Sequence, residues 1–285
     1  MVTDSVACLP KELIDEYDIG IVPISIVMNG KTYRDGIDIT SREVYEFVAS
    51  SPSLPTTTSP SPADFLQAFE EISAVATDVL CVTICSEISM MYNSAVQAKG
   101  LAAESLPGLS VSVVDSRTAG GAQGFVALEA ARAAAGGKSL AEVAEVAEGM
   151  IPRVNMLAVL DTLQYLARAG RIPRIAAWGS SVLKIKPILT FSKDGIGLFE
   201  KSRTKPKAVD RLVEVMRERT QGKPVHVNVM HANVRDEAEA LKERIQSGFE
   251  CVEIYVTDFA PTMGVQAGPG VLGIAFFHEE SPDVG

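Results

Sequence analysis

Two short runs of hydroxyl side chains are the parts of this sequence best suited to chemistry. Pro55-Thr56-Thr57-Thr58-Ser59-Pro60-Ser61 ends where a helix is expected to begin. Ile84-Cys85-Ser86-Glu87-Ile88-Ser89 leads from an expected strand into a helix expected to start near Ser89. Hydroxyls and free backbone N–H groups at helix N-termini can host a carboxylate or phosphate without a countercharge. The same residue types also make ordinary caps and turns, so on their own they leave both roles open.

Other motifs lack the context their chemistry requires. Gly268-Pro269-Gly270-Val271-Leu272-Gly273 has the dinucleotide-binding spacing. A strand is expected after it rather than a helix, and Pro269 lacks an N–H, so a tight loop is the better reading. Gly136-Gly137-Lys138-Ser139 resembles the end of a phosphate-binding loop, but Arg132 stands where its first glycine belongs. Ser180 and Ser181 lack a nucleophile elbow. His226, His231 and His278 are too scattered for a metal site, and no carboxylate pair or activated nucleophile stands out. The residues point to a binding protein rather than an enzyme, with no cofactor.

Composition narrows the class further. A chain of 285 residues, 47% hydrophobic and 22% charged, is globular and long enough for two cores. Its net charge of −10 disfavours nucleic acid, whose phosphates need a basic field. No apolar run approaches the roughly 20 residues of a spanning helix. The amino terminus has no basic, apolar leader, so a cytoplasmic protein is expected. Cys8, Cys81, Cys85 and Cys251 form no C-x-x-C pair and read as small core residues.

The elements that would position the two hydroxyl runs alternate between strand and helix. Residues 2–3 end a first strand, residues 10–17 form a short helix, and residues 19–28 are a β-branched run reaching an Asn29-Gly30 turn. Thr40 and Ser61 read as N-caps, with residues 50–62 the least globular stretch between them. Strands at 79–84 and 111–115 alternate with helices at 89–105 and 119–135, and Ser139 starts another helix. These βαβ units predict a parallel sheet. From Asn155 the pattern changes. Strands are expected at 157–160, 225–230, 252–257 and 271–277, with a hairpin of 185–191 and 196–200 through Asp194-Gly195. Helices are expected at 162–169, 206–219 and 235–245. The fold class is therefore α/β. A parallel-sheet domain over residues 1–152 is followed by a mixed-sheet domain over 153–285.

Several segments, in order along essentially the whole chain, resemble the DegV family. Val2-Thr3-Asp4-Ser5, Val22-Pro23-Ile24 and Tyr33-Arg34-Asp35-Gly36 match its opening segments. Thr57-Thr58-Ser59-Pro60 is similar to its T-S-Q-P loop, and Ser89-Met90-Met91-Tyr92 falls where it has S-G-T-Y. Asp115-Ser116-Arg117-Thr118, Asp161-Thr162-Leu163, Gly170-Arg171-Ile172, Lys186-Pro187-Ile188-Leu189, Arg203-Thr204, His231-Ala232-Asn233 and Gly268-Pro269-Gly270 match as well. The family includes the fatty-acid-binding subunits of bacterial fatty acid kinase. The resemblance implies two α/β domains with a long-chain fatty acid between them. It also implies a carboxylate held by Thr57, Thr58 and Ser89, and a separate ATP-dependent kinase that forms the acyl phosphate. Arg203, with Lys201, Lys205 and Lys207 nearby, is implied at the kinase-facing surface; the same charges also suit a solvated helix start.

Three departures bear on those implications. Gln266 stands where the family has a histidine beside the carboxylate, and it can hydrogen-bond but cannot carry charge. Met90-Met91 replaces Gly-Thr, and the chain starts inside its first strand. Phe191, Ile188 and Leu189 are candidates to contact the acyl tail. Two alternatives stand beside the kinase-coupled carrier. One is a lipid sensor or storage protein without a kinase, motivated by Gln266 and Met90-Met91. The other is an enzyme on a small acyl or anionic substrate.

Overall fold

The structure is a computed structural model, and it describes residues 1–51, 53–170, 185–192 and 195–280. The first strand, β1 (Val2–Asp4), is three residues long, and α1 (Lys11–Glu16) follows Pro10. The β-branched run of residues 19–28 divides at Pro23 into β2 (Gly20–Val22) and β3 (Ser25–Met28), which belong to different sheets. Asn29 and Gly30 both take positive φ, as a two-residue hairpin turn requires, and return the chain as β4 (Lys31–Arg34).

Thr40 and Ser61 do cap helices, α2 (Ser41–Ser50) and α3 (Pro62–Ser73), each through a reciprocal capping box. Between them the Ser/Pro/Thr stretch yields a strand, β5 (Thr56–Thr58), which pairs with β3 to complete a three-stranded antiparallel sheet. Next come β6 (Asp78–Thr83), α4 (Met91–Ser105), β7 (Ser110–Asp115), α5 (Gly120–Ala135) and α6 (Leu140–Met150). The expected parallel sheet is present, in the order β2-β1-β6-β7.

The second half contributes β8 (Asn155–Val159), α7 (Gln164–Arg168), β9 (Lys186–Ser192) and β10 (Gly195–Ser202). After these follow α8 (Lys205–Thr220), β11 (Val225–His231), α9 (Arg235–Gly248), β12 (Cys251–Asp258), α10 (Pro261–Ala267) and β13 (Leu272–His278). Their six strands form one mixed sheet, β10-β9-β8-β13-β11-β12, in which only β11 and β12 run parallel. Asp194 of the expected hairpin turn, Arg171 and Ile172, and Ser180 and Ser181 lie outside the described residues.

Strand alternation gives the six-stranded sheet two apolar faces. Leu157, Val159, Ile188, Ile274 and Phe276 pack outward with α8 and α9. Met156, Ala158, Leu160, Leu189 and Phe277 face inward, toward α5. α5 is buried and runs between the two large sheets, touching β6 on one side and β8, β11 and β13 on the other. Glycine makes that close approach possible. A Cβ at Gly124 would collide with the Ala7 carbonyl, and one at Gly121 would come within 2.7 Å of Asn228 Nδ2. Buried Asn228 is partnered at both its amide nitrogen and its oxygen: it donates to the Cys8 carbonyl (2.8 Å) and accepts from Thr257 (2.9 Å). Cys8, Cys81 and Cys85 are buried, Cys251 is half-buried, and burial raises the thiol pKa of all four.

Candidate functional site

The described residues leave part of the inward face of the six-stranded sheet uncovered. Against it lies an apolar cavity with about 850 Å³ of empty space, mouth included. Alternate residues of adjacent strands line one side: Met156 and Ala158 of β8 with Leu160 just beyond it, and Leu189 and Phe191 of β9. Val6, Ile24, Ile84, Ile88 and Ala119 face them from the amino-terminal half. Of the three expected tail contacts, Leu189 and Phe191 line the cavity, while Ile188 points the other way, into the core beneath α8.

Two buried carboxylates hold this lining in place. Asp4 accepts from Val6 N–H (3.0 Å) and Ile84 N–H (2.8 Å), bringing both residues to the cavity wall. Asp35 accepts from the Ser5 hydroxyl (3.0 Å) and, at 3.4 Å, from Thr262 N–H in the first turn of α10. Burial pushes both acids up to about 6, against the pull of these hydrogen bonds.

The polar side chains of the cavity gather around β5, the Ser89 loop and α10. Gln266 Nε2 donates to Thr57 Oγ1 at 3.0 Å. The Ser59 and Ser89 hydroxyls lie 3.3 Å apart, and Met91 N–H donates to Ser89 Oγ at 3.4 Å. Thr57 thus accepts from Gln266 and keeps its own proton to donate. Ser89 keeps its proton whenever Ser59 donates to it. Two hydroxyl donors and one amide suit the two oxygens of a carboxylate. Among the described residues lining the cavity none is charged, so a carboxylate here would be held by neutral donors.

The structure brings Thr57, Ser89 and Gln266 together at the cavity, but not Thr58. Thr58 is exposed on the opposite face of β5, and Ser59, one residue on, lines the cavity instead. Arg203 is exposed in the turn between β10 and α8 and does not line the cavity. Its neighbour Lys205 pairs with Glu237 at 2.8 Å. The two methionines also stay out of the cavity: Met91 is fully buried in the core under α4, and Met90 is exposed. Gln266 is expected from sequence, but the helix that carries it, α10, is not, nor are Ser59 and Thr262 as cavity residues, although Pro261 at the first helical position is a recognisable start signal. Among the described residues no cluster of His, Cys, Asp and Glu is arranged to hold a metal ion.

Comparison with known proteins places this arrangement. The family model described as "Uncharacterised protein, DegV family" matches residues 1–279. The chain belongs to the DegV family. The DegV protein of Bacillus subtilis is 34% identical over 278 residues, spanning 97% of this chain and 98% of the relative. A DegV domain-containing protein of Clostridium perfringens is 32% identical over 280 residues, 98% of each chain. Among solved structures, DegV of Bacillus subtilis, described as a fatty acid binding protein, superposes with a TM-score of 0.89 at 33% identity, covering 98% of both chains. A DegV family protein from Thermus thermophilus, whose structure is described as showing fatty acid binding, gives 0.89 at 28% identity and the same coverage. A stearic-acid-binding protein from Eubacterium ventriosum gives 0.87 at 25% identity over 97% of each chain. The DegV architecture of a parallel four-stranded sheet and a mixed six-stranded sheet is therefore established for this chain. Among its described residues, no helix is long and apolar enough to cross a membrane.

Proposed function

We propose that this DegV protein binds one long-chain fatty acid, with the tail in the apolar cavity and the carboxylate at Thr57, Ser89 and Gln266. The observation that carries the reading is the grouping of neutral hydrogen-bond donors at a cavity otherwise walled by aliphatic and aromatic side chains. Solved relatives described as fatty-acid-binding support it. Burying a methylene contributes about 0.8 kcal/mol, so a tail of ten or more supplies most of the affinity and the hydroxyls supply orientation. Residues 1–152 and 153–285 are the two lobes that hold the chain. Thr58 then supports the loop from outside rather than touching the ligand.

The carrier presents its carboxylate to a separate ATP-dependent kinase, with Arg203 on the docking face, and does no catalysis itself. Titrating delipidated protein with a straight-chain saturated acid in a calorimeter tests the binding step: one acid per chain is expected, and no heat and no uptake would refute it. Adding a fatty acid kinase and ATP to the loaded protein tests the second step, with acyl phosphate as the expected product and its loss in Arg203→Ala. A lipid sensor uncoupled from any kinase is favoured by one observation. Gln266 is neutral and bonded to Thr57, so it cannot pass a proton as histidine would. Ligand binding without acyl phosphate would select that reading.

A further inference from the structure

A second cavity, a polar groove with about 1320 Å³ of empty space, mouth included, lies between the two lobes. The end of β7 and the loop after it supply Asp115, Arg117 and Thr118 to one wall, and α6 adds Glu148. Asn155 of β8, Thr190 of β9 and Arg219 in the last turn of α8 form the other.

The two arginines of this groove are held in place without being neutralised. Arg117 has a left-handed backbone (φ 52°), a conformation that strains a residue with a side chain and recurs at functional positions. Asp115 fixes that turn: its carboxylate accepts from Arg117 N–H (2.9 Å), Ser86 N–H (3.2 Å) and the Ser86 hydroxyl (2.6 Å). Arg219 lies over the Phe199 ring, 5.5 Å from its centre, and donates Nη1 to the Asn155 side chain (2.6 Å). Among the described residues neither guanidinium pairs with a carboxylate, and Nε and Nη2 of Arg219 have no acceptor.

The acids of the groove do not cancel these charges. Asp115 is committed to its three donors, which leaves exposed Glu148 as the one uncommitted acid among the described lining residues, against two guanidiniums. Arginines supplied to one groove by opposite lobes suit an anion that both can reach. A carboxylate has two oxygens, which a single guanidinium saturates in a bidentate pair, whereas a phosphate monoester has three terminal oxygens and can take both. Val114, Ile151, Pro152 and Val154 give the same groove apolar surface for an organic body.

We infer that this groove binds a small organic phosphate monoester, with the phosphate held between Arg117 and Arg219. The site is separate from the Arg203 surface: Arg203 precedes α8 and Arg219 lies in its last turn, about 20 Å away along the helix. It also stands independently of what fills the apolar cavity.

The test is calorimetric titration of the full chain, in phosphate-free buffer, with phenyl phosphate, inorganic phosphate and benzoate. Phenyl phosphate should bind one per chain, inorganic phosphate more weakly, and benzoate at least about tenfold more weakly. Arg117→Ala and Arg219→Ala should each weaken phenyl phosphate at least about tenfold. Arg235→Ala, which removes one exposed charge at the start of α9, should leave it within about twofold. Arg219→Lys keeps the charge but not the fork, so it should fall between wild type and Arg219→Ala; it and Arg117→Ala decide the matter if Arg219→Ala does not fold. No saturable binding of phenyl phosphate, equal affinity for phenyl phosphate and benzoate, or wild-type affinity in Arg117→Ala and Arg219→Lys would each overturn the site. Inorganic phosphate bound as tightly as phenyl phosphate would overturn the assignment to an organic monoester.

Discussion

Thr57→Val separates the hydroxyl's role from its bulk. Valine keeps the β-branched shape that suits β5 but removes the oxygen that accepts from Gln266 and would donate to the ligand. A hydrogen bond to a charged acceptor is worth about 1.5–3 kcal/mol, so the dissociation constant for a fatty acid should rise about ten- to a hundredfold. Two controls sharpen the reading. Thr58→Val changes an exposed side chain on the other face of the same strand and should leave affinity within about twofold. The matching methyl ester lacks the ionised oxygens, so Thr57→Val should weaken its binding far less. Calorimetry on delipidated proteins gives all three comparisons. Equal losses for Thr57→Val and Thr58→Val, or an equal loss for acid and ester, would refute a carboxylate held by Thr57.

Further consequences follow from buried groups at the site and elsewhere in the fold. Asp35 has its pKa raised by burial to about 6, so the folded protein holds a proton that the unfolded chain releases near 4. The stability it contributes is present below pH 4 and is lost as pH rises toward 6, by up to about 3 kcal/mol. Asp35→Asn should flatten that part of the profile in urea titrations from pH 4 to 7; an unchanged slope would show the acid is not shifted. Glu253 behaves oppositely. Burial alone would raise it, but hydrogen bonds from His226 and Arg132 hold it down to about 2, so its contribution is present above about pH 4.5 and lost as pH falls toward 2. Glu253→Gln should cost about 2–3 kcal/mol at pH 7 and much less at pH 3, measured the same way. Gly264→Ala would drive a methyl into the ring of Tyr45, whose hydroxyl is bonded to the Phe259 carbonyl. A loss of about 1–3 kcal/mol is expected, with weakened ligand binding because α10 carries Gln266. A stable variant with unchanged affinity would show that the ring yields freely.

Local signals made the larger elements readable in advance. N-caps at Thr40 and Ser61, the Asn29-Gly30 turn and the βαβ rhythm each follow from interactions within a few residues, and each is present. Long-range pairing was not readable. β5 is a strand because Thr56, Thr57 and Thr58 meet β3, and its composition alone resembles a linker. That pairing decides which hydroxyls face inward, so Thr57 and Ser59 line the cavity while Thr58 looks out. Alternation likewise divides Leu189 from Ile188, a distinction no hydropathy of the run carries. α10 is seven residues long, too short for a clear helical period, and Asp35 and Tyr45 position it from far away in sequence.

The most direct test of acyl binding is native mass spectrometry of the protein purified from a lipid-containing host, followed by denaturing analysis of what it releases. A mass excess matching one fatty acid per chain, present in wild type and depleted in Thr57→Val, is the predicted result. A bare chain mass in wild type that stays bare after incubation with free fatty acid would contradict the account.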